Sequence, residues 1–288
     1  MKSGTLFCVA GAVLFGLVPP ALQYLLIHGV SKTAALLGPN ALLLAGALLL
    51  CLNRRSTLHV PFSSAAALVL CGALGMGATG LFLASSYAYI STGTATVINF
   101  LYPSIVTVAS AILLRQKLTA GAAAAMFFSV AGMILISLHG SASDGLPQHS
   151  AMTGYFLALC SAFTYSLYIL GTKIFRCEQL SDAGELFYLS AGALLTALLW
   201  MLTGHEAVLP LNGHVVSVFL AYCVMIGGAF VFISVGITKI GPVRASYATL
   251  FEPVTAVACS VAFYGDRLPA SALAGFALIF LSVWFSSR

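Results

Sequence analysis

Ten apolar runs, each roughly twenty residues long, follow one another along this chain, separated by short polar or charged segments. A bilayer core about 30 Å thick needs about 20 apolar residues in an α-helix, so each run is long enough to cross it. The predicted spans are 4–27, 34–52, 65–88, 94–114, 120–138, 151–174, 184–203, 215–237, 243–264 and 269–285. Because the runs are apolar all round rather than alternating with polar residues, they predict helices and not barrel strands.

Composition limits the solvent in which such a chain can fold. Of 288 residues, 60% are hydrophobic and 7% are charged, whereas a soluble domain has about 25% charged residues. In water the chain would expose large apolar patches. The net charge of +5 is scattered in ones and twos, without the basic cluster of a nucleic-acid surface. We therefore predict a lipid bilayer as the surroundings and no nucleic-acid partner.

The basic residues also predict an orientation. A cytoplasmic N-terminus places ten of the twelve Lys and Arg residues on the inner side and leaves only Lys32 and Arg267 outside. Cytoplasmic segments carry the excess of basic residues in membrane proteins. Both termini are therefore expected in the cytoplasm.

The chain matches itself at an offset of 150 residues. Pro103 aligns with Pro253, Gly77 with Gly227, and the charged turn 115–118 with 265–268. Each half, 1–146 and 147–288, has five predicted spans, and an odd number requires the second half to enter the membrane in the opposite orientation. The predicted fold is an all-α integral membrane protein with ten transmembrane helices, arranged as two inverted five-helix repeats. Such symmetry allows outward-open and inward-open states of similar energy.

The repeated motifs resemble those of EamA-type transporters of the drug/metabolite transporter superfamily. Phe-Leu-Tyr-Pro at 100–103 precedes Arg-Gln-Lys-Leu at 115–118, and Phe-Glu-Pro-Val at 251–254 precedes Tyr-Gly-Asp-Arg-Leu at 264–268. The resemblance covers essentially the whole chain. It implies a transporter of the bacterial cytoplasmic (inner) membrane that moves small metabolites through a central cavity, often exporting amino acids. One difference between the halves bears on chemistry, because Tyr102 stands where the second half has Glu252.

Glu252 is the strongest candidate for a substrate contact. It lies about ten residues into the ninth predicted span, where a charge is costly and usually faces a cavity. The carboxyl is a candidate for binding a substrate amine or for carrying a coupling proton; the alternative is a protonated side chain held by hydrogen bonds between helices. Asn99 and Tyr102 share a face of the fourth span, as Thr249 and Glu252 do on the ninth. The repeat predicts that these two polar faces meet around a cavity, although such residues also simply join helices.

Prolines predict interruptions in three spans. Each of four prolines removes a backbone donor: Pro19 and Pro20 in the first span, Pro103 in the fourth and Pro253 in the ninth. Such breaks tend to mark hinges or binding sites in transporters, although proline is also common in ordinary transmembrane helices. Gln23, near the first break, is a further candidate for the cavity wall. Five tyrosines could reach a cavity, although tyrosines near span ends more often lie in the interfacial aromatic belt, and most of the five are expected to be structural: Tyr87, Tyr89, Tyr165, Tyr168 and Tyr247.

Other classes of function find little support in the sequence. The histidines lie in or beside loops, and HExxH, GxSxG and Walker sequences are absent. We predict no enzymatic activity, no cofactor and no metal site, with a small-molecule substrate and a proton as the candidate coupling ion. The chain is expected to be a monomer or a homodimer. The alternatives are a multidrug or organic-cation exporter, metabolite uptake, an intramembrane enzyme, which would need a second reactive group, and a sensor or scaffold.

Overall fold

A computed structural model describes residues 2–53, 58–90, 92–115, 117–137, 151–176, 179–255, 258 and 270–286. The regular elements in this part of the chain are helices. They are α1 Lys2–Gly16, α2 Val18–Ile27, α3 Lys32–Asn53, α4 Phe62–Cys71, a π-helical turn Gly72–Gly77, α5 Ala78–Ser86, α6 Thr92–Asn99, α7 Tyr102–Leu113, α8 Ala120–Ser137, α9 Ala151–Ile174, α10 Asp182–Leu202, α11 Gly213–Ile240, α12 Pro242–Ala248 and α13 Ala270–Ser286.

Among the described residues, seven helical segments are long and apolar enough to cross a membrane. These segments are Ser3–Ile27, Lys32–Asn53, Phe62–Ser86, Thr94–Leu113, Ala151–Ile174, Asp182–Leu202 and Gly213–Ile240. Two shorter apolar helices, Ala120–Leu135 and Leu273–Ser286, lie within the fifth and tenth predicted spans. The second part of the ninth predicted span lies outside the described residues. Over the residues that the structure describes, the prediction of an all-α protein is confirmed, with seven candidate membrane spans, and the count of ten remains a prediction.

Short polar signals set the helix ends between the apolar runs. Ser181 caps α10 by accepting a hydrogen bond from the Gly184 amide, and Asn212 caps α11 by accepting one from the His214 amide. At the other end of α11, Gly241 has φ of +82°, a conformation that favours glycine. This residue turns the chain directly into α12.

Contacts between the two halves come in pairs that correspond to each other when the two repeats are interchanged. Three pairs of repeat-related helices pack on each other: α8 on α13, α3 on α10, and α7 on α12. The remaining contacts occur in matched sets, because α1 and α2 pack on α11, just as α9 packs on α4, the π-turn and α5. Each half therefore contributes a matched set of helices to the contact between the halves, which includes a seam between α7 and α12.

The third span breaks this symmetry. Its π-turn interrupts the helix between α4 and α5, whereas its counterpart α11 is a continuous helix of 28 residues. The turn lies against α10, where a Cβ on Gly72 would overlap the Leu189 carbonyl. Thr196 of α10 donates a hydrogen bond to the Ala73 carbonyl at 2.9 Å. A side chain from α10 thus satisfies a carbonyl that lies in the irregular turn.

Candidate functional site

The fourth and ninth spans are interrupted at nearly equivalent positions. In the first half, residues 100–101 form a turn between α6 and α7. In the second, residues 249–250 form a turn after α12, and helical backbone resumes over 251–255. Pro103 and Pro253, which lie just after these turns, are both buried. Proline has no backbone N–H, so the carbonyl four residues earlier cannot receive its normal helical hydrogen bond.

The turn in the second half partly compensates for this loss. The Glu252 amide donates to the Thr249 carbonyl at 3.0 Å, the shorter i to i−3 pattern. This bond satisfies the carbonyl that Pro253 leaves without its normal helical partner. It also places the Glu252 side chain at the first turn of the resumed helix, directly beside the interruption.

The first span is interrupted next to the same place. α1 ends at Gly16, Leu17 forms a turn, and α2 follows with Pro20 in its first turns. A Cβ on Gly16 would lie 2.7 Å from the Glu252 carbonyl oxygen. The backbones are therefore in close contact, and glycine is required there because a larger residue would separate them. The side chains of Pro19 and Gln23 lie outside the described part of the structure, so their predicted places at the site are not described.

A hydrogen bond joins the two halves at the interruptions. The Tyr102 hydroxyl lies 2.5 Å from Thr249 Oγ1, and both residues are 1% exposed. Thr249 also donates to the Ser246 carbonyl at 2.9 Å. A threonine hydroxyl has one proton, so Tyr102 is the donor in the bond between the halves. The structure thus brings Tyr102 and Thr249 together, one from each repeat.

A second polar contact lies farther along the same seam. The hydroxyls of Thr107 on α7 and Tyr247 on α12 are hydrogen-bonded at 3.1 Å, and both residues are buried. Thr107 also contacts the Pro103 carbonyl, at 2.7 Å. Two Tyr–Thr pairs in opposite senses therefore fasten α7 to α12, and in this conformation they fill the seam.

Asn99 points to a different neighbour from the one expected. Its amide oxygen accepts a hydrogen bond from Ser161 of α9 at 2.9 Å, and the residue is 9% exposed. Ser166, farther along α9, donates to the Tyr102 carbonyl at 3.3 Å. The α6–α7 interruption is thus held mainly by hydroxyls of α9, so Asn99 has a clear structural role beside its candidate role in binding.

Glu252 is half-buried next to the seam. Its carboxyl lies within electrostatic range of Tyr102 and Tyr165. The ion pairs among the described residues are those of Arg176 with Asp182 and Glu185, and neither involves Glu252. A carboxyl within a membrane span that forms no ion pair among the described residues is available to bind a ligand amine or a proton.

Aromatic rings line one side of this region. Tyr102 meets Tyr165 edge-on with ring centroids 4.7 Å apart, and Tyr165 stacks on Tyr168 at 5.8 Å. Tyr168 then contacts Phe230 at 5.4 Å. Tyr165 and Tyr168 are buried in the protein core, so neither of them lies in the interfacial belt. The spacing of three residues on α9 was the available signal, because it places both rings on one helix face.

A buried acid near the start of α10 was missed at the sequence level. Glu185 is fully buried, with one carboxylate oxygen 3.4 Å from the Arg176 guanidinium, which also pairs with Asp182 at 2.7 Å. Glu185 lies in the first turn of a capped helix, where negative charge is favourable. The acidic first turn after Arg176 was the signal, and it explains the cluster as structural. Elsewhere in the described chain, no three His, Cys, Asp or Glu residues gather as metal ligands.

Comparison with known proteins agrees with the repeat architecture. The sequence profile of the EamA-like transporter family matches residues 2–138 and again residues 152–288. A solved structure described only as "Crystal structure of protein" superposes with a TM-score of 0.81 at 19% identity, covering 100% of this chain and 97% of that chain. That similarity establishes the fold. No curated protein matches the chain at a significant level. Two family matches that together span nearly the whole chain show that it belongs to the EamA-like transporter family, within the drug/metabolite transporter superfamily, and is a multi-pass membrane protein.

Proposed function

We propose that this protein is a secondary transporter that exports a small polar metabolite, an amino acid or a related compound, from the bacterial cytoplasm by alternating access. The proposal includes ten spans, divided into inverted repeats 1–146 and 147–288, with both termini in the cytoplasm. It is supported by membership in a family of membrane transporters and by the unequal distribution of Lys and Arg between the two sides.

One observation carries the proposal: three interrupted helices meet at Glu252. Gly16 brings the first interruption against the Glu252 backbone, and Thr249 links the third to Tyr102 at the second. Interrupted helices expose backbone groups that an ordinary span hides, and in transporters they surround the solute at mid-membrane. A purely structural packing site has no need of three interruptions at one place.

Alternating access also needs a contact between the halves that can break. The Tyr102–Thr249 and Thr107–Tyr247 hydrogen bonds cross the seam, and each has a modest net strength of about 1 kcal/mol. The seam in this conformation is closed, since Tyr102 and Thr249 are each 1% exposed. Separation of α7 from α12 would open a path beside Glu252, and the hydroxyls released would then be free to bind the solute.

Glu252 is the proposed partner of the substrate amine, with Tyr102, Thr249 and Asn99 as polar contacts and Gln23 as a further wall residue. Proton coupling is a separate extension, in which the same carboxyl binds a proton when the solute leaves. The prolines at positions 19, 20, 103 and 253 are the proposed hinges.

A second candidate within the same fold is an exporter of organic cations. The rings of Tyr102, Tyr165 and Tyr168 beside a carboxyl favour it, because aromatic faces attract cations. Uptake rather than export is compatible with the same site, because alternating access runs in either direction.

Thermal stabilisation of the purified protein by amino acids, nucleosides and organic cations, measured across pH, tests the proposal. We expect one chemical class to raise the melting temperature, and Glu252→Gln to abolish the effect while leaving the melting temperature without solute nearly unchanged. Tyr102→Phe and Asn99→Ala should each reduce the rise in melting temperature that the solute causes. The matched control is Glu206→Gln, which removes an exposed loop carboxyl.

The competing outcomes are distinct. Stabilisation by hydrophobic cations but not by amino acids would favour the second candidate. If a stabilising solute kept its full effect in all three variants, the solute would bind elsewhere and the placement of the site would be wrong.

A further inference from the structure

A cavity of about 280 Å³ lies where the ends of four helices meet. It lies at the membrane face that the charge pattern predicts to be cytoplasmic. The described residues that line it include Thr107, Ala111, Lys117, Thr119, Arg244 and Ser286. They come from α7, the segment before α8, the α11–α12 junction and the end of α13, so both halves contribute to the wall.

The inner end of this cavity reaches the seam between the halves. Thr107 lines the cavity and is the residue that bonds to Tyr247 across the seam. The Tyr102–Thr249 bond follows deeper along the same pair of helices. Arg244 lies on α12, and Glu252 follows it by eight residues, beyond the turn at 249–250. The cavity therefore leads directly to the two contacts that close the proposed substrate path.

The charged groups on the cavity wall are basic, and they stand among both polar and apolar lining residues. Among its described lining residues, Lys117 and Arg244 are charged and none is acidic. Neither cation belongs to the ion pairs found in the described chain. Thr107, Thr119 and Ser286 add hydroxyl groups to the wall. Two cations that face one polar cavity attract an anion.

We propose that this cavity is the inner mouth of the transport path and that it binds solutes with an acidic group, a carboxylate or a phosphate, through Lys117 and Arg244. The inference rests on the proposed transport function and specifies its substrate class. An amino acid would first meet these cations with its carboxylate and then, deeper along the path, meet Glu252 with its amine. In the proposed path the two contacts are sequential, the first at the mouth and the second at the seam.

Arg115 provides a matched comparison. It belongs to the same inter-helix segment as Lys117 and is exposed, but it does not line the cavity. If the basic residues here served only to anchor the chain at the membrane surface, Arg115 and Lys117 would be equivalent. The proposal requires them to differ.

Thiol labelling of Ala111→Cys, a lining position, measures the potential inside the cavity. Purified protein in an uncharged detergent is reacted with anionic sulfonatoethyl and cationic trimethylammonioethyl methanethiosulfonates, and labelling of the chain without the new cysteine is subtracted. Each rate is normalised to that of a free thiol. Lys117→Gln and Arg244→Gln should each lower the anionic-to-cationic rate ratio about fivefold, and Arg115→Gln should change it by less than about twofold. Equal effects of all three, or no effect of the first two, would overturn the proposal.

The same thiol reports which acidic group binds. Inorganic phosphate and acetate should slow its reaction with an uncharged methanethiosulfonate, acetamide at matched ionic strength should not, and Arg244→Gln should remove the protection. Protection by phosphatidylglycerol but by neither small anion would identify a lipid headgroup site and overturn the solute assignment. A lack of protection by phosphate, acetate and phosphatidylglycerol alike would also overturn that assignment. Because labelling requires no flux, this inference and the transport function can fail independently.

Discussion

Replacing Tyr102 by Phe removes one hydroxyl, the donor that joins α7 to Thr249 across the seam. The bond is 2.5 Å long and its partners are 1% exposed, so water does not compete for either group. Hydrogen bonds between membrane helices contribute about 0.6 kcal/mol on average and about 1.7 kcal/mol at most. The burial of this one predicts a coupling of about 1 kcal/mol, equivalent to about a fivefold change in an equilibrium constant.

A double-mutant cycle isolates that value. Tyr102→Phe, Thr249→Val and the double variant are unfolded in detergent, and the coupling is the difference between the double variant and the sum of the singles. Thr249→Val also removes the bond to the Ser246 carbonyl, at 2.9 Å. This loss occurs in the Thr249→Val variant and in the double variant alike, so it cancels when the coupling is calculated. A coupling below about 0.2 kcal/mol, less than an ordinary hydrogen bond provides, would refute the claim that this contact closes the seam.

Two further predictions concern contacts outside the seam. Gly72→Ala should lower the unfolding free energy by about 1–3 kcal/mol, because the new methyl group would overlap the Leu189 carbonyl. The control is Gly227→Ala, which should be neutral or slightly stabilising because nothing lies within 4 Å of the added Cβ. Equal effects of the two substitutions in thermal unfolding would contradict the close packing of the π-turn. Arg176→Ala should destabilise by about 3 kcal/mol, because it leaves the Glu185 carboxylate buried without its cation. Chemical unfolding measures this effect, and a loss below about 0.5 kcal/mol would mean that Glu185 is neutral in the folded protein.

The helices were predictable because the bilayer sets their length. The sixth span was predicted at 151–174, and α9 runs from Ala151 to Ile174. The seventh was predicted to begin at 184, two residues late, because the rule that divides spans at charges excluded Asp182. In the structure, the Ser181 cap and the pairing with Arg176 allow this acidic turn to belong to the helix.

The partners within the site were less predictable. Repeat symmetry correctly indicated that the polar faces of the fourth and ninth spans approach each other, and Tyr102 does meet Thr249. No pattern indicated that Asn99 would bond to Ser161, and the only signal for the burial of Tyr168 was its spacing of three residues from Tyr165. Lipid-facing and protein-facing surfaces of a membrane helix are both apolar, so hydrophobic periodicity does not distinguish them as it does in water.

Solute flux into proteoliposomes by the Glu252→Gln protein tests the central claim, that the carboxyl at the meeting point of three interrupted helices serves transport. The solute is the one that most stabilises the unsubstituted protein, and Glu206→Gln, with its carboxyl in an exposed loop, is the control. We expect the Glu252→Gln protein to fold normally and its flux to be at least about tenfold lower, which is equivalent to about 1.4 kcal/mol. The control should keep its flux. Unchanged flux and unchanged pH dependence in Glu252→Gln would contradict both the binding role and the coupling role of this residue.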